Sequence, residues 1–220
     1  MAKMVLSLSP LSAEIIKFLI SQTPNVSDFE VISGHEMLEE EVKKTFSAAD
    51  VVLGDYTFKQ KITADIVSAA RNLKFIQQPS LGYQHIDVEA CTARGIKVSN
   101  TAGANTISVA EHTIAWGLCL LKNMFHAHTS TKLGAWEQMS IKPAELKGKV
   151  WGIVGFGRIG QAVAERLNPF QLNRIIYYDT HRLGQSIEEK LGVEYAEMAT
   201  VLSQSEINRG GRNERSGMYY

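Results

Sequence analysis

The chain has 220 residues, 45% of them hydrophobic, which is enough for one large or two small domains with a sizeable core. Its 23 basic and 23 acidic side chains balance, so composition gives no indication of nucleic-acid binding, and no apolar run is long enough for a secretory signal or a membrane span. Cys91 and Cys119 are too few for a disulfide framework or a zinc site, so we predict two buried thiols in a cytoplasmic protein.

Short apolar strands alternate with amphipathic helical patterns in the first half of the chain. We predict strands at 4–8, 29–32, 50–53, 75–77 and 96–99, and helices at 12–20, 39–48, 63–70 and 88–94. This alternation predicts a parallel sheet that is covered on both faces. A hinge is predicted at 100–105, followed by a long apolar helix at 106–123, so a second α/β domain is expected to begin near residue 103.

A strand, a glycine turn and a helix are predicted in succession after residue 148. The apolar run at 150–154 leads into Gly155, Gly157 and Gly160, and a helical pattern of apolar residues begins there. A second apolar strand at 175–178 ends in Asp179. This arrangement is typical of a dinucleotide-binding fold, in which the turn holds a diphosphate and the acid binds a ribose hydroxyl.

The glycines of this turn have separate physical roles. Gly155 allows a tight turn off the strand, Gly157 lets the backbone approach a diphosphate without a Cβ atom, and Gly160 lets the helix pack close to the sheet. The backbone N–H groups at Arg158 and Ile159, where the helix opens, face the anion. A glycine turn that binds no ligand is the alternative interpretation of the same residues.

Four stretches resemble the D-isomer-specific 2-hydroxyacid dehydrogenases, the family of phosphoglycerate, lactate and glycerate dehydrogenases. They read LGYQHID at 81–87, NTISVAEH at 105–112, GAW at 134–136 and ELKGKVWGIVGFGRIG at 145–160, and the match extends from residue 1 to about 205. The resemblance implies an α/β protein with parallel sheets. Residues 1–102 would form a flavodoxin-like substrate-binding domain and residues 103–205 the N-terminal half of a Rossmann NAD-binding domain, with the active site between them.

The resemblance also implies ligands for two turns. The backbone N–H groups of Leu81, Gly82 and Tyr83 would hold the carboxylate of a small 2-oxo or 2-hydroxy acid, although an ordinary loop between strand and helix is the alternative. Asp179 would bind the adenosine ribose, which favours NAD because a 2′-phosphate would meet a like charge. Two basic residues beyond it, His181 and Arg182, leave NADP open.

The histidines and Glu111 are interpreted as structural residues. His85 and His112 match family positions where other residues occur. His126 and His128 fall in a predicted loop without partners at a ligand-like spacing, so no metal site is expected. Glu111 is interpreted as bonding across the domain junction.

The catalytic arginine, glutamate and histidine that the resemblance implies are expected beyond residue 220. Residues 206–220 are polar and glycine-rich, which predicts a disordered, aberrant tail on a C-terminally truncated dehydrogenase. A displaced arginine loop at 208–211 with Glu214 is the alternative interpretation. With parallel strands only at 150–154 and 175–178, the second domain would leave a sheet edge uncovered.

Together these features predict an NAD-dependent oxidoreductase acting on CH–OH donors, present here as an inactive or weakly active fragment. The resemblance further implies a homodimer formed through residues 106–148, without nucleic-acid or membrane partners. The alternative is a non-catalytic, NAD-binding regulatory protein of the corepressor type.

Overall fold

The computed structural model describes residues 2–24, 26 and 28–207. The chain divides after Ala104 into two compact units. Residues 208–220, with the alternative arginine loop and most of the predicted tail, lie outside the described residues. The first residue of that tail, Glu206, belongs to the fold, because its backbone N–H donates to Val150 O (3.1 Å) and its carboxylate accepts from Val150 N (3.0 Å).

A five-stranded parallel sheet forms the centre of the first unit. In chain order its strands are β1 (Lys3–Ser7), β2 (Phe29–Ser33), β3 (Val51–Leu53), β4 (Phe75–Gln77) and β5 (Lys97–Ser99). Their spatial order is β2-β1-β3-β4-β5, and each neighbouring pair is parallel. This order is that of a flavodoxin-like doubly wound sheet. The helices after the first four strands are α1 (Ala13–Ser21), α2 (Glu39–Phe46), α3 (Ala64–Ala69) and α4 (Val88–Ala93).

Local sequence explains where these helices begin. Ser12, Thr63 and Asp87 precede α1, α3 and α4, and the side-chain oxygen of each accepts a hydrogen bond from a backbone N–H of the first turn. The central strands are apolar, and their Leu6 and Val52 side chains are fully buried. Because the sheet is parallel, the loops that follow β3, β4 and β5 gather at its carboxyl edge.

The second unit contains a three-stranded parallel sheet in the order β6-β7-β8. Two helices precede the sheet, and a short 3₁₀ turn at Asn168–Phe170 leads into its second strand. The elements in chain order are α5 (Thr106–Leu121), α6 (Met124–Lys132), β6 (Val150–Val154), α7 (Arg158–Leu167), β7 (Arg174–Tyr178), α8 (Gln185–Leu191), β8 (Val193–Tyr195) and α9 (Met198–Gln204). None of the helices in the described part of the chain combines the length and the apolar character that crossing a bilayer requires.

The predicted elements of the first half are confirmed, with ends that differ by one or two residues. The helix predicted at 106–123 ends two residues earlier, at Leu121. It cannot continue through Asn123, which adopts a left-handed conformation (φ +52°). The separate helix α6 follows, where the sequence predicts a loop. Both cysteines are free thiols: Cys91 is buried and Cys119 is half-buried.

The prediction of two strands in the second domain is wrong. Val193–Tyr195 forms a third strand, β8, beside β7. The strand has only three residues, and its central residue, Glu194, is exposed, so its sequence gives no apolar run.

Candidate functional site

The turn between β6 and α7 contains the three predicted glycines. Gly155 has φ +86°, a left-handed conformation that favours glycine, and its N–H donates to Tyr178 O at the end of β7 (2.8 Å). A Cβ atom on Gly160 would lie 2.5 Å from Gly155 O. The chain therefore turns so tightly that a side chain at either position would force the backbone to move.

Gly157 faces open space instead. No heavy atom of the described residues lies within 4 Å of the position that its Cβ atom would take. Because α7 begins at the next residue, the N–H groups of Arg158 and Ile159 have no acceptor within the helix. These donors and the positive end of the helix dipole suit an anion that approaches past Gly157, so the turn fits a diphosphate group.

Asp179 lies next to this turn, directly after β7. One carboxylate oxygen accepts a hydrogen bond from Phe156 N (2.6 Å), and the other accepts from His181 N (2.9 Å). These two hydrogen bonds hold the pKa of the Asp179 carboxyl below its usual value of 3.8. The carboxylate is therefore ionised at neutral pH and still has unused lone pairs, which suits it to accept from the hydroxyls of a ribose.

The basic residue Arg182 is held by a buried acid. Its guanidinium donates two hydrogen bonds to the Glu188 carboxylate (both 2.9 Å) and lies 5.2 Å from the centre of the Tyr195 ring. Glu188 is only 6% exposed and also accepts from the Tyr177 hydroxyl (2.7 Å). Because the Arg182 guanidinium is paired with Glu188, it is poorly placed to neutralise an added phosphate beside Asp179.

The turn after β4 presents backbone donors at the carboxyl edge of the first sheet. No described residue accepts a hydrogen bond from the N–H groups of Leu81, Gly82 or Tyr83. The Leu81 and Tyr83 side chains are about half exposed (45% and 48%). A Cβ atom on Gly82 would lie 2.9 Å from the tip of the Phe58 ring, so the ring covers one side of this glycine. Three consecutive unpaired N–H groups suit a carboxylate.

Asp55, in the loop after β3, is a buried carboxylate that sequence analysis missed. It is fully buried and accepts hydrogen bonds from the backbone N–H groups of Thr57 (2.8 Å) and Gln60 (3.0 Å). Burial raises the pKa of the Asp55 carboxyl, but these hydrogen bonds outweigh it and hold the pKa below its usual value. The only sequence signal is an acid directly after a strand and Gly54. Because its carboxylate oxygens accept hydrogen bonds from the backbone of the loop, Asp55 stabilises the conformation of residues 55–60.

No histidine in the described residues belongs to a group of three or more His, Cys, Asp or Glu side chains that could hold a metal ion. His85 packs edge-on against Phe58, and burial lowers the pKa of its imidazole, so the ring is neutral at neutral pH. His126 and His128 lie on α6, which corrects the predicted loop. His126 contacts Glu137, and His112 accepts a hydrogen bond from Trp116.

Glu111 has a partner within its own unit. Its carboxylate lies 4.0 Å from the Arg166 guanidinium, which links α5 to α7 within the second unit. This contact lies between two helices of the same unit, and a bond from Glu111 across the domain junction stays a prediction.

Comparisons with known proteins all indicate the same family. The catalytic-domain profile of the D-isomer specific 2-hydroxyacid dehydrogenases matches residues 5–210. The chain is 37% identical to a hydroxypyruvate reductase of Thermotoga maritima over 198 residues, and 34% identical to a D-3-phosphoglycerate dehydrogenase of Archaeoglobus fulgidus over 203 residues. These matches cover 90% and 92% of this chain but 61% and 37% of the relatives, so the chain spans less than two thirds of their length.

Solved structures agree with this assignment. The chain superposes on a D-lactate dehydrogenase from Aquifex aeolicus, complexed with NAD and lactic acid, with a TM-score of 0.74 and 26% identity, covering 93% of this chain and 59% of that one. The similarity confirms the α/β fold class with parallel sheets. The relatives are dehydrogenases and reductases, which does not favour the regulatory alternative.

Proposed function

Because the chain belongs to the D-isomer-specific 2-hydroxyacid dehydrogenase family, we propose that it takes part in hydride transfer between NAD(H) and a small 2-oxo or 2-hydroxy acid. One observation carries this proposal: the Phe156 N–H in the glycine turn donates to the Asp179 carboxylate (2.6 Å). This hydrogen bond supports the proposal because it joins the glycine turn to the acid, which would be the two recognition points of a dinucleotide.

The nucleotide is proposed to bind by its phosphates and its adenosine ribose. The backbone N–H groups of Arg158 and Ile159 would hold the diphosphate, and Gly155, Gly157 and Gly160 would give it room and a rigid turn. The ionised Asp179 would accept hydrogen bonds from the ribose hydroxyls. When bound, the nicotinamide end of the cofactor supplies or accepts the hydride.

NAD rather than NADP is proposed as the cofactor. A 2′-phosphate on the ribose would come close to the Asp179 carboxylate, and like charges repel. A nearby cation would relieve this repulsion, but the guanidinium of Arg182 is already paired with Glu188 through two hydrogen bonds of 2.9 Å. The engaged arginine therefore supports exclusion of NADP.

The substrate is proposed to bind through its carboxylate. The N–H groups of Leu81, Gly82 and Tyr83 would hold the carboxylate and so fix the orientation of the acid. No residue in the described part of the chain is proposed as the proton donor. The catalytic arginine, glutamate and histidine beyond residue 220 stay a prediction from the family resemblance, as does a cytoplasmic location.

We further propose that a second copy of the chain covers the apolar face of the 106–148 region. α6 has no buried residue, although it and its neighbours carry large apolar side chains. Those with at least a third of their surface exposed are Ile107, Trp116, Leu120, Met124, Phe125, Leu133, Trp136 and Met139. An apolar patch of this kind on a folded unit is typical of a protein interface. Light scattering should give a dimer for the native chain and a monomer for the double variant Leu133→Glu, Trp136→Glu.

Titration of the chain with NADH, followed by nucleotide fluorescence and by calorimetry, tests the proposed function. We expect saturable binding that Asp179→Asn weakens, because the neutral amide is a poorer acceptor for the ribose hydroxyls. Asp65→Asn changes an exposed carboxylate of the first unit and serves as the matched control. If folded native chain gives no binding heat with millimolar NAD or NADH, the nucleotide site is not functional. Assay of NADH oxidation with a panel of 2-oxo acids then measures turnover.

A further inference from the structure

Three consecutive carbonyl oxygens in the turn after β4 are held by hydrogen bonds. The backbone N–H of Thr101 donates to Ser80 O (3.3 Å), and the side-chain amide of Asn100 donates to Leu81 O (2.9 Å). The Ser80 hydroxyl donates to Gly82 O (3.2 Å). Every carbonyl from residue 80 to residue 82 therefore has a donor.

These hydrogen bonds determine where the neighbouring N–H groups point. Peptide bonds in the described part of the chain are trans, and in a planar trans peptide the C=O and the following N–H point in opposite directions. The N–H groups that follow the held carbonyls are those of Leu81, Gly82 and Tyr83. Each of them therefore points away from the donor that holds the carbonyl before it, and they are the three groups without an acceptor in the described residues.

Asn100 and Thr101 both reach the turn from the loop after β5, but Asn100 donates through its side chain and Thr101 through its backbone. Asn100 follows β5, whose Ser99 pairs with Gln77 of β4, and Ser99 O accepts from Gln78 N (2.7 Å). This register brings residue 100 next to the turn after β4, although 19 residues separate Asn100 from Leu81. The direction of the Gly82 N–H thus depends on a side chain of the neighbouring loop.

We infer that Asn100 is a positioning residue for the substrate carboxylate: by holding Leu81 O, it directs the Gly82 N–H toward the acid. This inference rests on the proposed function, since it assumes that the turn binds a carboxylate. Without the Asn100 amide, the peptide between Leu81 and Gly82 loses the hydrogen bond that holds its carbonyl, and ligand binding must then supply that order. The loss of one neutral hydrogen bond of this kind corresponds to about three- to tenfold weaker carboxylate binding.

Nuclear magnetic resonance on the full chain tests the inference with pyruvate as the probe. In the native chain, pyruvate should shift the amide signals of Leu81, Gly82 and Tyr83. Asn100→Ala should weaken pyruvate binding about three- to tenfold and change the residual dipolar coupling of the Gly82 N–H, with NADH binding unchanged. Asn100→Asp keeps the shape of the side chain but has no N–H donor, so it should weaken pyruvate binding at least as much as Asn100→Ala. It takes the place of Asn100→Ala if the alanine variant does not fold.

Asn72→Ala is the matched control. Asn72 is an exposed asparagine three residues before β4, at the opposite end of the same strand, so its loss should change neither pyruvate affinity nor the Gly82 signal. If Asn100→Ala lowers only the melting temperature and keeps native pyruvate affinity, Asn100 is merely structural and the inference is overturned, while the proposed function stands. If pyruvate shifts none of the three amides in the native chain, the carboxylate site fails, and the inference fails with it.

Discussion

The turn after β4 and the turn after β6 both present backbone N–H groups at the carboxyl end of a parallel strand, but they hold those groups differently. In the turn after β6, the N–H groups are fixed by the start of α7 and by glycines in tight contact with their own backbone. In the turn after β4, they are fixed through the preceding carbonyls, two of which are held by Thr101 and Asn100 of the neighbouring loop and one by the Ser80 hydroxyl of the turn itself.

This difference predicts which residues each turn depends on. The turn after β6 is sensitive to one of its own glycines, Gly160, because a Cβ atom there meets backbone. The turn after β4 is sensitive to side chains of neighbouring loops and tolerant of its own glycine, because a Cβ atom on Gly82 would meet only the ends of the Phe58 and Gln84 side chains. Substitutions in each turn and in its neighbours test this difference between the two turns.

The largest expected effect is on stability at Gly160. Gly160→Ala places a Cβ atom 2.5 Å from Gly155 O, so the backbone must move, and we expect a loss of about 2–3 kcal/mol in the free energy of unfolding. Gly82→Ala should cost less than about 1 kcal/mol, because the exposed Phe58 ring can move aside. Urea unfolding of both variants measures the difference, and equal losses would contradict the comparison.

Gly157→Ala should affect binding instead of folding. Its Cβ atom meets open space, so the melting temperature should stay within about 2 °C of the native value. The same atom would stand where the diphosphate approaches, so NADH affinity should fall about tenfold or more. A variant that keeps native NADH affinity would show that no phosphate passes this position.

Replacement of Asp179 should change the choice of cofactor. Asp179→Ser removes the charge that repels a 2′-phosphate, and we expect the ratio of NADP to NAD affinity to rise about tenfold. Parallel titrations with both oxidised cofactors measure this ratio, and Asp65→Ser controls for general loss of an acid. An unchanged ratio would remove Asp179 from cofactor selection.

A smaller effect is expected at Ser80. Ser80→Ala removes the donor to Gly82 O, and it also leaves the buried Gln78 side chain without the hydroxyl that accepts its hydrogen bond (2.7 Å). Pyruvate affinity should fall about two- to fivefold, with NADH affinity unchanged. The amide titration described for Asn100 measures it, and a parallel fall in NADH affinity would indicate a general defect.

The smallest expected effect is on the pH dependence of stability at Asp179, which should appear only in acid. The hydrogen bonds from His181 and Phe156 lower the folded-state pKa of Asp179, so the stability that this carboxylate contributes is complete above the ordinary carboxyl pKa of 3.8. It is lost only as the pH falls through the lower folded-state value. The stability difference between native chain and Asp179→Asn should therefore be constant from about pH 8 to pH 5 and shrink in stronger acid.

Short stretches of sequence were enough to predict much of the fold and the glycine turn after β6. The strands, the helix starts and the glycines of the turn after β6 follow from short-range patterns, because the constraints act between residues close in the chain. The strand β8 is too short and too polar for such a pattern. Asn100, Asp55 and the pairing of Arg182 with Glu188 were missed because each depends on which strands or loops become neighbours after folding.

The hydrogen bond from Phe156 to Asp179 has a consequence for which fragments of a cofactor can bind. It fixes the spacing between the proposed diphosphate site and the proposed ribose site, and both sites lie on the second unit. A small molecule that carries adenosine and two phosphates already spans both sites, without any nicotinamide. ADP should therefore compete with NADH for this chain, and most of the cofactor's binding energy should come from its non-reacting half.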